Sequence, residues 1–166
     1  IHGIKSVSLR YFNASGAGYN LGENHTQETH LIPLILQTAL GQRDCIKIFG
    51  SNYPTTDGTC VRDYIHVLDL ANAHLLALEN IRETPQTYNV GTGKGYSVRE
   101  IINIAEDITG KKIFAVDVLA REGDAAYLVA DPTKIEKEWG WKAEHDIKDI
   151  IESAWEFHKK DEKNLL

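Results

Sequence analysis

The chain has 166 residues with a formal net charge of −6, and it is 42% hydrophobic and 25% charged. This length predicts a single domain, the composition is typical of a folded protein, and the acidic balance argues against nucleic-acid binding, which requires a basic face. No apolar run approaches the roughly 20 residues that span a bilayer, so no membrane segment and a cytoplasmic location are expected.

The first half of the chain alternates predicted strands and helices. In chain order the predicted elements are a strand over residues 6–12, a loop over 13–24, a helix over 29–41, a strand over 45–50, a turn-rich excursion over 51–59 and an extended segment over 60–67. The first strand is predicted because Val7, Leu9 and Tyr11 alternate with polar residues. Thr29 is the expected N-cap of the helix.

The second half continues in the same way. The predicted elements are a helix from Asp69 as its cap to about Ile81, a strand over 87–91, a helix opened by a capping box of Ser97 and Glu100, strands over 112–119 and 126–131, a helix opened by Asp131 and Pro132, and a final amphipathic helix from Ile147. This alternation predicts an α/β fold in which residues 6–12 and 87–91 form parallel strands. Two such strands are too few for a complete doubly wound sheet.

The cysteine, histidine and glycine patterns predict little chemistry. Two cysteines do not make a disulfide framework, and the seven histidines show no ligand spacing, so no metal site is expected. His66 lies in an apolar run and is expected to be a hydrogen-bonded packing residue rather than a catalytic base. Residues 91–95 read G-x-G-x-G, which departs from the dinucleotide fingerprint and favours a turn over a phosphate cradle.

Two arginines carry more information. Arg62 precedes Asp63 at the start of an apolar run, and Arg121 lies three residues before Asp124. Each arginine could form a salt bridge with that neighbouring aspartate. Alternatively, the two planar guanidinium groups could bind an anionic ligand such as a diphosphate. Spacing alone leaves both readings open and slightly favours the salt bridges.

The longer motifs resemble those of the UDP-glucose 4-epimerases in the extended short-chain dehydrogenase/reductase family. The matching segments are LRYFNASGA (9–17), residues 30–74 with the specific run IFGSNYPTTDGTCVRDYIHV (48–67), YNVGTGKGYSVREI (88–101) and AREGDAAYLVADPTK (120–134). The resemblance implies an NAD-dependent enzyme that interconverts UDP-glucose and UDP-galactose. It also implies a homodimeric parent, with UDP-N-acetylhexosamines as further substrates.

The same resemblance implies that residues 1–166 are one substrate-binding, C-terminal domain carrying residual parallel strands of an incomplete Rossmann sheet. The family's catalytic Tyr-x-x-x-Lys pair is absent, since none of the seven tyrosines has a lysine four positions later. We therefore expect the NAD-binding domain to lie N-terminal to this chain and the chain alone to be inactive. A related nucleotide-sugar epimerase, decarboxylase or dehydratase, or a stand-alone nucleotide-sugar-binding module, are the alternatives.

The resemblance also implies roles for individual residues. It places Arg62 and Arg121 on the diphosphate, Asp124 on the ribose, Tyr64 near the uridine, and Lys47 and Phe49 around uracil, mostly through backbone groups. It places Asn13 on the diphosphate or hexose, His30 and Leu31 facing the phosphates, Tyr11 and Phe12 near the nicotinamide, and Leu128 at the position that admits or excludes N-acetylated sugars. His30 departs from the family's usual asparagine.

Overall fold

Helices and short parallel strands alternate along the chain, which confirms the predicted α/β class. The computed structural model describes residues 3–82 and 86–164. Its elements are β1 (Val7–Tyr11), β2 (Asn13–Ser15), α1 (Leu31–Ala39), β3 (Ile46–Phe49), β4 (Val61–Arg62), β5 (Tyr64–His66), α2 (Val67–Glu79), β6 (Gln86–Val90), β7 (Tyr96–Ser97), α3 (Val98–Thr109), β8 (Ala115–Val118), β9 (Tyr127–Leu128), α4 (Thr133–Trp139) and α5 (Ile147–Asn164).

The strands form several small sheets rather than one large one. As predicted, β1 and β6 pair in parallel, from Val7 opposite Gln86 to Tyr11 opposite Val90. β2 pairs in parallel with β5, and β3 with β8. β4 lies between an antiparallel β7 and a parallel β9. These short strands end near one another and place several loops around a common space.

Two apolar clusters hold the elements together. The larger one joins α1, α3 and α5 to β3 and β5, with Ile35, Leu36, Ile101 and Ile150 fully buried. The smaller one packs α2 and α4 against β1 and β6 around Trp141, which is 2% exposed. The apolar stripe that the sequence predicted on α5 faces the larger cluster, and burial of such a stripe is the main source of helix stability in a folded protein.

The structure corrects two predicted caps and one predicted loop. α1 begins after His30, which makes no side-chain cap hydrogen bond, so Thr29 is not the cap. α2 is capped by His66, whose Nδ1 accepts a hydrogen bond from the Leu68 amide at 3.1 Å, rather than by Asp69. The predicted loop over 13–24 begins with β2, because the chain leaving β1 pairs with β5.

Other local predictions are confirmed. Ser97 and Glu100 form the capping box of α3, with both reciprocal hydrogen bonds present. His66 is a hydrogen-bonded packing residue: it is 2% exposed, its Nε2 lies 3.1 Å from Ser153 Oγ, and its ring stacks on His145 at 4.2 Å between centroids. No helix within residues 3–82 and 86–164 is long and apolar enough to cross a bilayer.

Candidate functional site

A pocket of about 480 Å³ lies between β2, β3, β4, the start of α1 and the loop before β9. Its volume falls in the range of small-molecule binding sites. All but two of the residues expected at the site line it: Phe12, Asn13, His30, Leu31, Lys47, Phe49, Arg62, Tyr64, Arg121 and Asp124. Residues that are far apart in the sequence therefore share one concave surface that combines apolar and cationic groups.

Strand alternation explains how β3 contributes to this surface. Ile46 and Ile48 are buried in the larger apolar cluster, at 3% and 1% exposure. Successive side chains on a strand point to opposite faces, so Lys47 and Phe49 are turned away from that cluster. Both line the pocket.

Arg62 is anchored to the backbone and to one carboxylate. Its Nη1 donates to the carbonyl oxygens of Val61 at 2.9 Å and Ala125 at 2.7 Å. Its Nη2 lies 3.7 Å from Asp124 Oδ1, too far for a hydrogen bond but close enough for charge attraction. The guanidinium is thus held in place by carbonyl groups, while its Nη2 keeps donor capacity for a ligand.

Asp63, the expected salt-bridge partner of Arg62, is used elsewhere. It is fully buried, and its Oδ1 accepts hydrogen bonds from the Thr92 amide at 3.0 Å and the Thr92 hydroxyl at 2.7 Å. Its Oδ2 accepts from the Gly93 amide at 3.0 Å and the Ala130 amide at 3.2 Å. The prediction of a salt bridge between Arg62 and Asp63 is therefore wrong.

The glycine loop after β6 serves this carboxylate. Its amides at Thr92 and Gly93 bind Asp63, and a Cβ on Gly91 would lie 2.7 Å from Asp63 Oδ2. The loop is thus a turn that holds an internal carboxylate, which favours the turn reading over a phosphate cradle.

Arg121 contacts an aromatic ring rather than an acid. Its Cζ lies 3.8 Å from the centroid of the Phe49 ring, within the range of a cation–π contact. Among the described residues it makes no ion pair with Asp124, which approaches Arg62 instead. Stacking orients the guanidinium over the pocket wall and leaves its donors free of a carboxylate, so the alternative of an Arg121–Asp124 salt bridge is also wrong.

Tyr64 and Cys60 line the pocket between the arginines and the apolar core. Tyr64 is 5% exposed, and its burial raises the pKa of the hydroxyl above its ordinary value. Burial also raises the pKa of the Cys60 thiol, with Asp124 acting in the same direction and Arg62 opposing it. Both groups are neutral at physiological pH and cannot compete with a ligand for the arginines.

Asn13 approaches the pocket from the start of β2, and His30 approaches it from the segment before α1. The Asn13 Nδ2 donates to the Asp63 carbonyl oxygen at 2.7 Å, which fixes the orientation of its amide. His30 precedes α1, and its Nδ1 lies 2.8 Å from Glu28 Oε1 and 2.9 Å from Glu23 Oε1. Leu31 is the first residue of the helix.

Two expected residues lie outside the pocket lining. Tyr11 ends β1 at 51% exposure, and its ring centroid lies 5.7 Å from that of His74. Leu128 pairs with Arg62 between β9 and β4, and its side chain is 50% exposed. Both are adjacent to lining residues in sequence or in register. Glu23, Thr29 and Cys60 also line the pocket, and nothing in the sequence indicates a role for them except that they lie close to predicted residues.

Comparison with known proteins gives consistent results. Residues 1–91 match the NAD dependent epimerase/dehydratase family. A UDP-glucose 4-epimerase of Halalkalibacterium halodurans is 48% identical over 163 residues, which is 95% of this chain and 49% of that protein. The chain thus spans about half the length of the curated relatives it matches.

Two solved structures are close matches. The UDP-glucose 4-epimerase of Stenotrophomonas maltophila, with bound NAD and formylated UDP-arabinopyranose, superposes with a TM-score of 0.90 at 41% identity, covering 95% of this chain and 48% of that one. The enzyme of Bifidobacterium longum, in complex with NAD+ and UDP, gives the same TM-score and identity, covering 94% and 48%. Because the family match extends over more than half of its length, the chain belongs to the NAD dependent epimerase/dehydratase family.

Proposed function

We propose that this chain binds the UDP-sugar of an NAD-dependent UDP-glucose/UDP-galactose 4-epimerase and that residues 1–166 act as its substrate-binding domain. The observation that carries the proposal is the convergence of Arg62, Arg121 and Asp124 on one pocket. In a chain with a net charge of −6, such local cations are what an anionic ligand needs, because the overall field does not attract it.

Each part of a UDP-sugar has a matching group in the pocket. The diphosphate would lie between Arg62 and Arg121, whose planar forks suit phosphate oxygens. The Asp124 carboxylate would accept hydrogen bonds from the ribose hydroxyls. Phe49 and the backbone of β3 would hold uracil, and the oriented amide of Asn13 would contact the diphosphate or the hexose.

The remaining lining residues would shape the two ends of the site. Tyr64 would lie near the uridine, with its neutral hydroxyl and buried ring. His30 and Leu31 would face the phosphates at the start of α1. Lys47 would frame uracil beside Phe49.

The residues at the end of β1 fit a nicotinamide ring. Ligands of open α/β sheets bind at the carboxyl ends of the strands, and Tyr11 and Phe12 lie at that end of β1. Tyr11 and Phe12 would lie against the nicotinamide, and a bound NAD would supply reversible hydride transfer at C4 of the sugar. Within that chemistry this chain holds the sugar nucleotide in position and supplies no proton-transfer pair, because it contains no Tyr-x-x-x-Lys.

Leu128 would control access of larger sugars. It pairs with Arg62 beside the pocket, and a leucine leaves more space than a tyrosine would at this position. We expect the whole enzyme to act on UDP-N-acetylglucosamine as well as on UDP-glucose. Leu128→Tyr should remove the first activity and keep the second in a coupled assay. Loss of both activities, or of neither, would contradict this role.

The oligomeric state and the cellular location that we propose rest on the family resemblance. The whole enzyme would be a cytoplasmic homodimer, which sedimentation of the full-length protein and fractionation of its source cells would test. A monomeric full-length enzyme would contradict the first part, and recovery in a membrane or secreted fraction would contradict the second.

Calorimetry with UDP tests the binding function directly. We expect this chain to bind UDP weakly, with a Kd between about 1 μM and about 1 mM. The chain spans only about half the length of its relatives, so it supplies only part of the surface that would enclose the ligand. Arg121→Ala removes an exposed charge-assisted contact of about 1.5–3 kcal/mol, so its Kd should rise roughly 10- to 150-fold.

Arg99→Ala is the matched control. Arg99 is also an arginine at the surface, with 38% of its side chain exposed, but it pairs with Asp117 at 2.7 Å and does not line the pocket. Its replacement should leave the Kd for UDP within about twofold. Submicromolar affinity, no saturable binding, or equal effects of the two variants would contradict the proposal.

A further inference from the structure

Two histidines and a glutamate converge in the loop that precedes α1. Glu23 Oε1 lies 2.9 Å from His25 Nε2 and 2.9 Å from His30 Nδ1. One ligand atom from each of the three residues lies within 4.8 Å of the other two. A single carboxylate oxygen thus lies between two imidazole nitrogens.

We infer that Glu23, His25 and His30 form a binding site for a divalent transition-metal ion of the zinc class. Imidazole nitrogen and carboxylate oxygen are ligands that Zn²⁺ prefers, at about 2.0–2.2 Å. Tetrahedral coordination at those lengths separates ligand atoms by roughly 3.4 Å. Two of the observed separations are 2.9 Å, shorter than this value, and the third is at most 4.8 Å. Small rotations of the exposed His25 and His30 rings and of the partly exposed Glu23 side chain would therefore bring all three atoms onto one ion.

The local charge favours a cation. The buried carboxylate of Glu28, at 5% side-chain exposure, places its Oε1 2.8 Å from His30 Nδ1, so two carboxylates meet the same ring nitrogen. Glu28 also accepts hydrogen bonds from the Thr29 amide at 2.6 Å and the His30 amide at 2.7 Å. It would keep these two bonds when His30 coordinates an ion, and its negative charge would remain beside the metal.

The location gives the ion access to solvent. His25 and His30 are 55% and 56% exposed, and Glu23 and His30 line the pocket described above. Three protein ligands with a further open position are typical of zinc sites that keep a water or an exchangeable ligand. The expectation from sequence spacing that the chain has no metal site is replaced by this proposal, which does not depend on the UDP-sugar function.

Titration of the untagged chain with Zn²⁺ in a calorimeter tests the site. We expect one ion per chain, and His25→Ala and Glu23→Gln should each weaken binding at least about tenfold, the loss of one ligand bond. Long-range ¹H–¹⁵N spectra should show the ring nitrogens of His25 and His30 shifting together with the same titration midpoint.

Two control variants distinguish binding at this site from binding by other histidines or by the cysteine thiols of the chain. His74→Ala removes an exposed histidine on α2, and its affinity for Zn²⁺ should stay within about twofold of that of the parent chain. The double variant Cys45→Ser with Cys60→Ser removes both thiols and should bind equally well. No saturable binding, binding unaffected by His25→Ala, or binding lost with the thiols would overturn the proposal and leave the cluster as a hydrogen-bond network only.

Discussion

Replacing Asp63 with asparagine should lower the free energy of unfolding, because this carboxylate is buried and joins three separate segments. Its two oxygens accept four hydrogen bonds, from Thr92, Gly93 and Ala130. An asparagine of nearly the same shape turns one of these oxygens into an NH₂ donor. At least one backbone amide then loses its acceptor and faces another donor.

The cheaper orientation of the asparagine sets the expected magnitude. If its NH₂ replaces Oδ1, the Thr92 hydroxyl can turn to accept, and only the Thr92 amide loses its partner. A buried unsatisfied donor costs about 1–3 kcal/mol, and loss of charge assistance at the remaining bonds adds about 1 kcal/mol. We expect a destabilisation of about 2–4 kcal/mol, which for a chain of this size lowers the Tm by roughly 5–15 °C.

Urea unfolding followed by tryptophan fluorescence measures this change, since Trp141 is 2% exposed in the folded state. Asp117→Asn is the matched control, because Asp117 pairs with Arg99 at the surface, where the side chains are 47% and 38% exposed. An exposed ion pair contributes about 0–1 kcal/mol. Equal destabilisation by Asp63→Asn and Asp117→Asn would refute the role assigned to Asp63.

Three further predictions follow from the sequence and the fold. The chain alone should not interconvert UDP-glucose and UDP-galactose, because it has no Tyr-x-x-x-Lys pair; turnover above the buffer rate in a coupled assay would disprove this. It should self-associate as its concentration rises, because among the described strands β1 pairs with β6 only and exposes its other edge; a strictly monomeric species in sedimentation at high concentration would argue against it. Stability should fall as the pH drops below about 6.5, because burial of His66, with a smaller contribution from His145, lowers the pKa of His66 in the folded state. Below that pH, His66 binds a proton more tightly in the unfolded chain than in the folded chain. The charges of Asp69 and Asp149 partly oppose the lowering of the His66 pKa. His66→Asn should flatten this pH dependence in urea titrations, and an unchanged slope would exclude His66 as its source.

Local hydrogen bonding was predictable from the sequence, whereas long-range competition for the same groups was not. The capping box of Ser97 and Glu100 lies within one helical turn, so its spacing alone determines its geometry. Asp69 also had the pattern of a cap, but His145, 76 residues away, takes both of its oxygens through its amide and its ring. His66 then supplies the cap.

At the site, too, local features could be predicted from the sequence and long-range contacts could not. Lys47 and Phe49 follow from strand alternation with two buried isoleucines, so their common face could be predicted. The alternation also argues against a salt bridge between neighbours such as Arg62 and Asp63, which point to opposite sides. The meeting of Glu23, His25 and His30 had no such signal, because the loop that carries them has no periodicity.

The opposed directions of Arg62 and Asp63 also protect the register of the short strands around them. A slip of one residue would turn the guanidinium toward the amides of Thr92, Gly93 and Ala130, and the carboxylate toward the pocket. Donors would then face donors in a buried place, and a negative charge would replace a positive one where a diphosphate is proposed to bind. β4 has only two residues, too few for apolar pattern alone to fix its alignment. The two adjacent side chains of opposite charge therefore favour a single register for β4.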